Sequence, residues 1–103
     1  MNNIIIPEPI IFDWDSGNKN KNFKKHGVSN EEAEEVFLNE PVTYEDLKHS
    51  SLEKRFSCLG ETDGGKKVFI SFTVRDNKTR LISIRLMNKK ERQQYAENIQ
   101  KNS

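Results

Sequence analysis

The sequence predicts an α+β domain: an antiparallel β-meander sheet with two N-terminal helices and a C-terminal helix. Three observations predict it. Residues 53–59, 66–75 and 79–87 alternate apolar and polar side chains with the period of two that marks strands. The turns between them, Thr62-Asp63-Gly64-Gly65 and Asp76-Asn77-Lys78, are short, and short turns join antiparallel neighbours. Helix-start signals flank this block: Ser29 with Glu32 before it, and Asn88 with Glu91 after it.

Taken in order, residues 1–9 form an extended lead-in to one domain covering residues 1–103. Pro7 and Pro9 forbid helix there. Residues 10–14 read as a short strand. Asp15 or Ser16 can cap a first helix running to about Lys25, with Phe23 as its apolar anchor and Gly27 as the left-handed residue that ends it. Ser29 opens the second helix, whose Ala33, Val36 and Phe37 fall at i, i+3 and i+4 on one stripe. Pro41 stops it. Residues 42–44 are a short strand, 47–51 a loop, and the three long strands follow.

Parity assigns the faces of the sheet. Phe56, Cys58, Val68, Ile70, Phe72, Val74, Ile82 and Ile84 share one side, to be covered by helices. Arg55, Ser57, Ser71, Thr73, Arg75, Ser83 and Arg85 share the other. Arg80 falls on the core side, so it is expected at the sheet edge, beside a bulge, or paired with a carboxylate. A single bulge would invalidate the count beyond it.

An apolar fraction of 33% with a charged fraction of 32% and nine aromatics fits a small globular chain, not a disordered one. The formal charge is only +1, but its distribution is uneven. Residues 31–46 hold seven acidic and no basic residues, and residues 66–92 hold nine basic and two acidic. Such a bipolar chain can meet a polyanion with one side and a basic protein with the other. Solvated helix faces and strand rims are the alternative. Cys58 is the sole cysteine, which excludes an intrachain disulfide and a cysteine-based metal site. No stretch is long enough to span a bilayer, and the start lacks the features of a signal peptide, so a cytoplasmic location is expected. No paired-carboxylate, zinc or Walker signature is present, and neither a metal nor a cofactor is expected.

Trp14-Asp15, Asn22, Lys25-His26-Gly27-Val28, Glu32-Ala33-Glu34, Val36-Phe37, His49-Ser50, Glu53, Arg55, Gly60, Phe72-Thr73, Arg75, Arg80, Ile82-Ser83, Arg85, Met87, Lys90-Glu91-Arg92 and Tyr95 follow one another in this order. Together they resemble the BrnT family of bacterial type II toxins, small ribonucleases of RelE-like fold. The likeness covers roughly residues 10–97. Two departures stand out. The family strand usually reads Ile-Ser-Ala-Arg, and here Ile84 replaces the Ala. Leu86 stands where many members are polar. Both are expected to narrow or weaken the site beside Arg85. The resemblance implies a BrnA-type antitoxin partner that blocks the active surface and binds DNA, so that this chain meets DNA only through it. It leaves open a homodimer or a heterotetramer with the antitoxin. The acidic helix from Ser29 is a candidate antitoxin-facing surface.

Metal-independent RNA cleavage must remove the 2′-OH proton, stabilise the crowded phosphate and protonate the 5′-oxygen. Arginine suits the second task, since its fork matches phosphate oxygens and stays charged. Arg85 and Arg55 are the first candidates, with Arg80 and Arg75 behind them. For proton transfer the candidates are His26, His49, Glu53 and Lys25. His26 at a helix C-terminus can instead complement the dipole, His49 can be surface decoration, and Glu53 can be a salt-bridge partner. Lys89, Lys90 and Tyr95 are candidate RNA contacts, and Trp14 is assigned to the core. Three functions follow from these residues: a ribonuclease toxin; a catalytically inactive toxin-like module that pairs with an antitoxin and modulates operon repression; and a DNA-binding regulator using residues 89–92.

Overall fold

A computed structural model describes residues 6–14, 26–50 and 53–101. Its elements are β1 (Phe12–Asp13), α1 (Asn30–Leu38), β2 (Val42–Glu45), a 3-10 turn (Leu47–His49), β3 (Arg55–Glu61), β4 (Lys67–Arg75), β5 (Lys78–Leu86) and α2 (Lys89–Lys101). The strands form one sheet in the order β1-β5-β4-β3-β2. β2 to β5 make the antiparallel meander that the short turns require. β1, however, runs parallel to β5, pairing Phe12 with Thr79 and Asp13 with Arg80. The sheet is therefore mixed, not purely antiparallel. Turn lengths speak only for consecutive strands, and β1 reaches β5 through a long connection. Among the described residues there are two helices, not three. The first predicted helix, with Lys25, lies outside them, but Gly27 has the left-handed φ of 72° expected of it. Among the described residues no helix is long and apolar enough to cross a membrane.

Both helix starts form as the sequence predicts. The Glu32 N–H donates to Ser29 Oγ (3.1 Å) and the Ser29 N–H to Glu32 Oε1 (2.9 Å). The Glu91 N–H donates to Asn88 Oδ1 (2.8 Å) and the Asn88 N–H to Glu91 Oε1 (2.9 Å). Each box satisfies two donors that a helix start otherwise leaves orphaned. The β4–β5 connection is a two-residue turn with φ positive at both Asp76 and Asn77, the backbone that matches hairpin twist.

α1 covers one face of the sheet. Ala33, Val36 and Phe37 pack there with Cys58, Val68, Ile70, Phe72, Leu81 and Ile84. The Phe37 ring meets Phe12 and Phe72 edge-on, at centroid distances of 5.4 and 5.2 Å. Trp14 packs on this core, and its Nε1 donates to Glu34 Oε2 at 2.8 Å. Gly60 allows the approach: a Cβ there would lie 2.7 Å from Val36 Cγ1 and 3.2 Å from Pro41 Cβ. Burial pushes the Cys58 thiol up, leaving it a small hydrophobe.

A bulge corrects the parity count. Ser83 pairs with Ser71 and Leu81 with Phe72, so Ile82 is the extra residue. Before it Leu81, not Ile82, enters the core. The same shift carries Arg80 off the core side and opposite Thr73, onto the face of Arg55 and Arg85.

α2 crosses that second face at one end. Leu59, Met87 and Tyr95 are buried together, with Val42 and Phe69 packed against them. The sheet is thus covered by α1 on one side and half-covered by α2 on the other.

Candidate functional site

The register arranges the second face in cross-strand rows. The first joins Arg75 to Lys78, and the next is Arg55, Thr73, Arg80 and Asp13. Then come four hydroxyls, Tyr44, Ser57, Ser71 and Ser83. Beyond them lie Val42, Leu59, Phe69 and Arg85, which border α2. Neighbouring strands are about 4.8 Å apart, and successive same-face residues on one strand about 7 Å apart, so two rows span one phosphodiester unit.

Arg55 and Arg85 share the face, as parity requires, but not their circumstances. Arg55 is exposed, and its guanidinium meets no partner among the described residues. Arg85 is bound on two sides. Its NH1 and NH2 donate to Glu91 Oε1 (2.7 Å) and Oε2 (2.8 Å), NH1 also donates to the Leu86 carbonyl (3.2 Å), and the guanidinium lies 4.0 Å from the Phe69 ring centroid. The Glu91 hydrogen bonds hold the Arg85 pKa above its ordinary value. Burial alone would raise Glu91, but Arg85 and the Asn88 N–H outweigh it and leave the carboxyl below its usual range. Ile84 and Leu86 project from the face opposite Arg85, so the two departures from the family strand do not crowd it: Ile84 is core and Leu86 is half-exposed.

The remaining candidates divide. Arg80 lies in the Arg55 row and is engaged within the protein. Arg75 and Glu53 neutralise one another, Nε to Oε2 at 2.9 Å and NH2 to Oε1 at 3.0 Å, which gives Glu53 the salt-bridge role. Lys89 and Lys90 are exposed in the first turn of α2, the turn that carries Glu91 to Arg85. Tyr95 is 6% exposed, so its ring packs in the α2 core and is not offered to a base. Burial and the Glu61 carboxylate push its phenol up. His26 stands two residues ahead of Val28, which is buried in the α1 core.

His49 is different. The Asp46 N–H donates to the Arg55 carbonyl at 2.8 Å, so the 3-10 turn begins beside Arg55. The Ser50 hydroxyl fastens that turn, donating to Asp46 O (2.6 Å) and accepting from the Arg55 N–H (3.0 Å). There Asp46 Oδ2 lies 2.9 Å from His49 Nδ1. This hydrogen bond holds the Asp46 carboxyl below its usual range. The ring's Nε2 is left for another partner.

Sequence reasoning missed Tyr44 and Asp46. Tyr44 stands on the second face opposite Ser57, and it is 37% exposed. Burial of its hydroxyl raises the phenol pKa, the Glu91 charge adds to this, and the Ser57 contact works against it. The usable signal was the pair Val42 and Tyr44: once β2 is placed beside β3, alternation sends both to the arginine face.

A family model described as the ribonuclease toxin BrnT of type II toxin-antitoxin systems matches residues 14–91. The crystal structure of the ribonuclease toxin BrnT of Brucella abortus is similar at a TM-score of 0.58 with 22% identity, covering 78% of this chain and 99% of that one. At that identity the likeness is one of fold. No curated protein matches the chain.

Proposed function

This chain belongs to the BrnT family of ribonuclease toxins of type II toxin-antitoxin systems, and from that premise we propose that it cleaves RNA on the second face of its sheet using its own side chains. The observation that carries this reading is the row Arg55, Thr73, Arg80 beside the row of four hydroxyls. The exposed Arg55 guanidinium, with its fork of donors, can hold both non-bridging oxygens of a phosphodiester and stabilise the charge that develops on them, while Arg80, already engaged within the protein, adds positive charge beside it. His49, oriented through Nδ1 by Asp46, is the base for the 2′-OH. Arg85, bound to Glu91, walls the far side.

A BrnA-like antitoxin neutralises the toxin by covering this face, and contact with DNA comes only through that partner. Labelled single-stranded RNA incubated with purified protein in excess EDTA tests the reading. Cleavage to 2′,3′-cyclic phosphate ends is expected, and Arg55→Ala should slow it about 100-fold, the loss typical of one transition-state donor. Loss of all cleavage in EDTA would overturn the metal-independent mechanism.

A second reading is favoured by one observation: Arg85 is committed to Glu91. In it the chain is an inactive toxin-like module that only pairs with the antitoxin and modulates operon repression. Protein that binds its antitoxin and leaves RNA intact under all conditions selects that reading.

A further inference from the structure

We propose that Tyr44 is a catalytic residue of this site, its phenol giving the proton that the 5′-oxygen takes as the RNA chain is cut. The inference rests on the ribonuclease reading above and deepens it. Breaking the bond from phosphorus to the 5′-oxygen produces an alkoxide, which leaves readily only when protonated. The arginines cannot supply that proton, because they do not deprotonate. Glu91 and Asp46 are held below their usual range and are ionised at neutral pH. Glu53 is tied to Arg75. Of the hydroxyls in the row, Ser57 is 3% exposed, and serine is a far weaker acid than a phenol.

Tyr44 has both the position and the proton. It lies directly opposite Ser57, with Arg55 and Leu59 as its diagonal neighbours on β3. Diagonal neighbours are about 7–8 Å apart at the backbone, within reach of an aromatic side chain. A phosphate held by Arg55 therefore abuts the row that Tyr44 heads. The groups around the phenol include Ser57, Glu91, Cys58, Asp46 and Arg85, and burial with the Glu91 charge keeps it protonated through the neutral range. It begins each cycle as a donor.

In the step, the 2′-oxygen forms a bond to phosphorus as its proton passes to His49 Nε2. The bond from phosphorus to the 5′-oxygen breaks, its electron pair stays on that oxygen, and the Tyr44 proton moves to it. The protonated His49 then returns a proton to the tyrosinate through water, and both groups are restored.

The test compares ordinary RNA with RNA carrying a single 5′-bridging sulfur at the cut site, a leaving group that needs no proton. Tyr44→Phe keeps the ring and removes the phenol. Expected is a loss of about 100-fold on the oxygen substrate, the scale of one general acid, with a rate close to the unsubstituted protein's on the sulfur substrate. An equal loss on both substrates overturns the inference and leaves Tyr44 a binding or positioning residue. An unchanged rate on ordinary RNA also overturns it, while Arg55→Ala, still slow in parallel, keeps the ribonuclease reading standing. If the unsubstituted protein cuts neither substrate, that reading falls and this inference falls with it.

Discussion

One sheet face carries two regions built from the same strands, and they have become different things. Around Arg55, Thr73 and Arg80 the face is lined by charge and hydroxyls; Arg55 is exposed, while Thr73 is 2% exposed and its hydroxyl donates to the Lys54 carbonyl at 2.8 Å. Around Arg85 the same face is roofed by α2, which buries Leu59 and Tyr95 and lays Glu91 across the guanidinium. Both arginines leave their strands on the same side. What separates them is the element above, not the strand below. An arginine on a β surface stays exposed or becomes a structural tie according to what the neighbouring elements deliver to it.

The sharpest break of this comparison is in stability. Tyr95→Ala removes the ring that fastens α2, and it should cost about 3 kcal/mol by the scale of buried aromatic truncations. Arg55→Ala removes an exposed side chain and should stay within about 0.5 kcal/mol. Urea titration of the two variants reads the difference directly. Equal midpoints would mean that the covered half is not a second core.

Much of this comparison was legible in the sequence, and what was not has identifiable physical causes. Strand alternation put Arg55, Thr73 and Arg85 on one face, and Asn88 with Glu91 announced α2 to the residue. The core assignment of Ile82 failed because a bulge leaves no mark in a run of alternating residues, whereas Arg80, out of place by parity, was the residue that pointed to a bulge beside it. Tyr95 looked available because a helix from Asn88 onward is so polar that its one buried aromatic is easily taken for a surface group. Leu59 and Phe69 were the clue: two large apolar residues among serines and arginines require a cover. The tie between Arg85 and Glu91 was not foreseen either. The partner of Arg85 six residues on was already assigned to the helix cap, and nothing in a sequence says that one carboxylate serves both.

That double use recurs, which gives a second test. Glu32 completes the α1 cap and pairs with Lys66 Nζ at 2.9 Å, just as Glu91 completes the α2 cap and pairs with Arg85. Glutamine also completes a capping box, so either glutamine substitution keeps the cap and removes the charge. Glu91→Gln should cost about 1 kcal/mol, and by freeing Arg85 it should steepen the salt dependence of RNA binding by about 0.7 in logarithmic slope. Glu32→Gln should leave RNA binding unchanged, because Lys66 is tied to Gly27 O on the α1 side. Matching slopes for the two variants would erase the distinction between the regions.

Acid should act on both ties in the same direction. The Ser29 N–H and Lys66 depress Glu32, and Arg85 with the Asn88 N–H depresses Glu91, each from an ordinary value of 4.5. A depressed carboxyl contributes stability that is complete above its unfolded value and is lost as pH falls through the folded one. Stability should therefore hold down to about pH 4.5 and decline below it. Glu91→Gln should flatten that decline more than Glu32→Gln, since Glu91 is the more enclosed carboxylate. Thermal unfolding followed between pH 3 and 6 checks the order.

The smallest expected effect is at Arg75, and it is the most specific. Arg75 stands on the same face one row from Arg80, and by position alone it belongs with the proposed phosphate-binding residues. Its guanidinium is nonetheless paired through two hydrogen bonds with Glu53, and both partners are exposed. An exposed pair contributes between 0 and about 1 kcal/mol, so Arg75→Ala should barely move the unfolding midpoint. If a delivered carboxylate is what withdraws an arginine from RNA, cleavage should also be unchanged within about twofold, against the large loss at Arg55. Glu53→Gln then becomes the decisive companion. Releasing Arg75 should strengthen RNA binding, as releasing Arg85 does, though by less because water already screens the pair. A large loss of cleavage in Arg75→Ala would show that position on the face outranks the partner, and the distinction between its two halves would have to be redrawn.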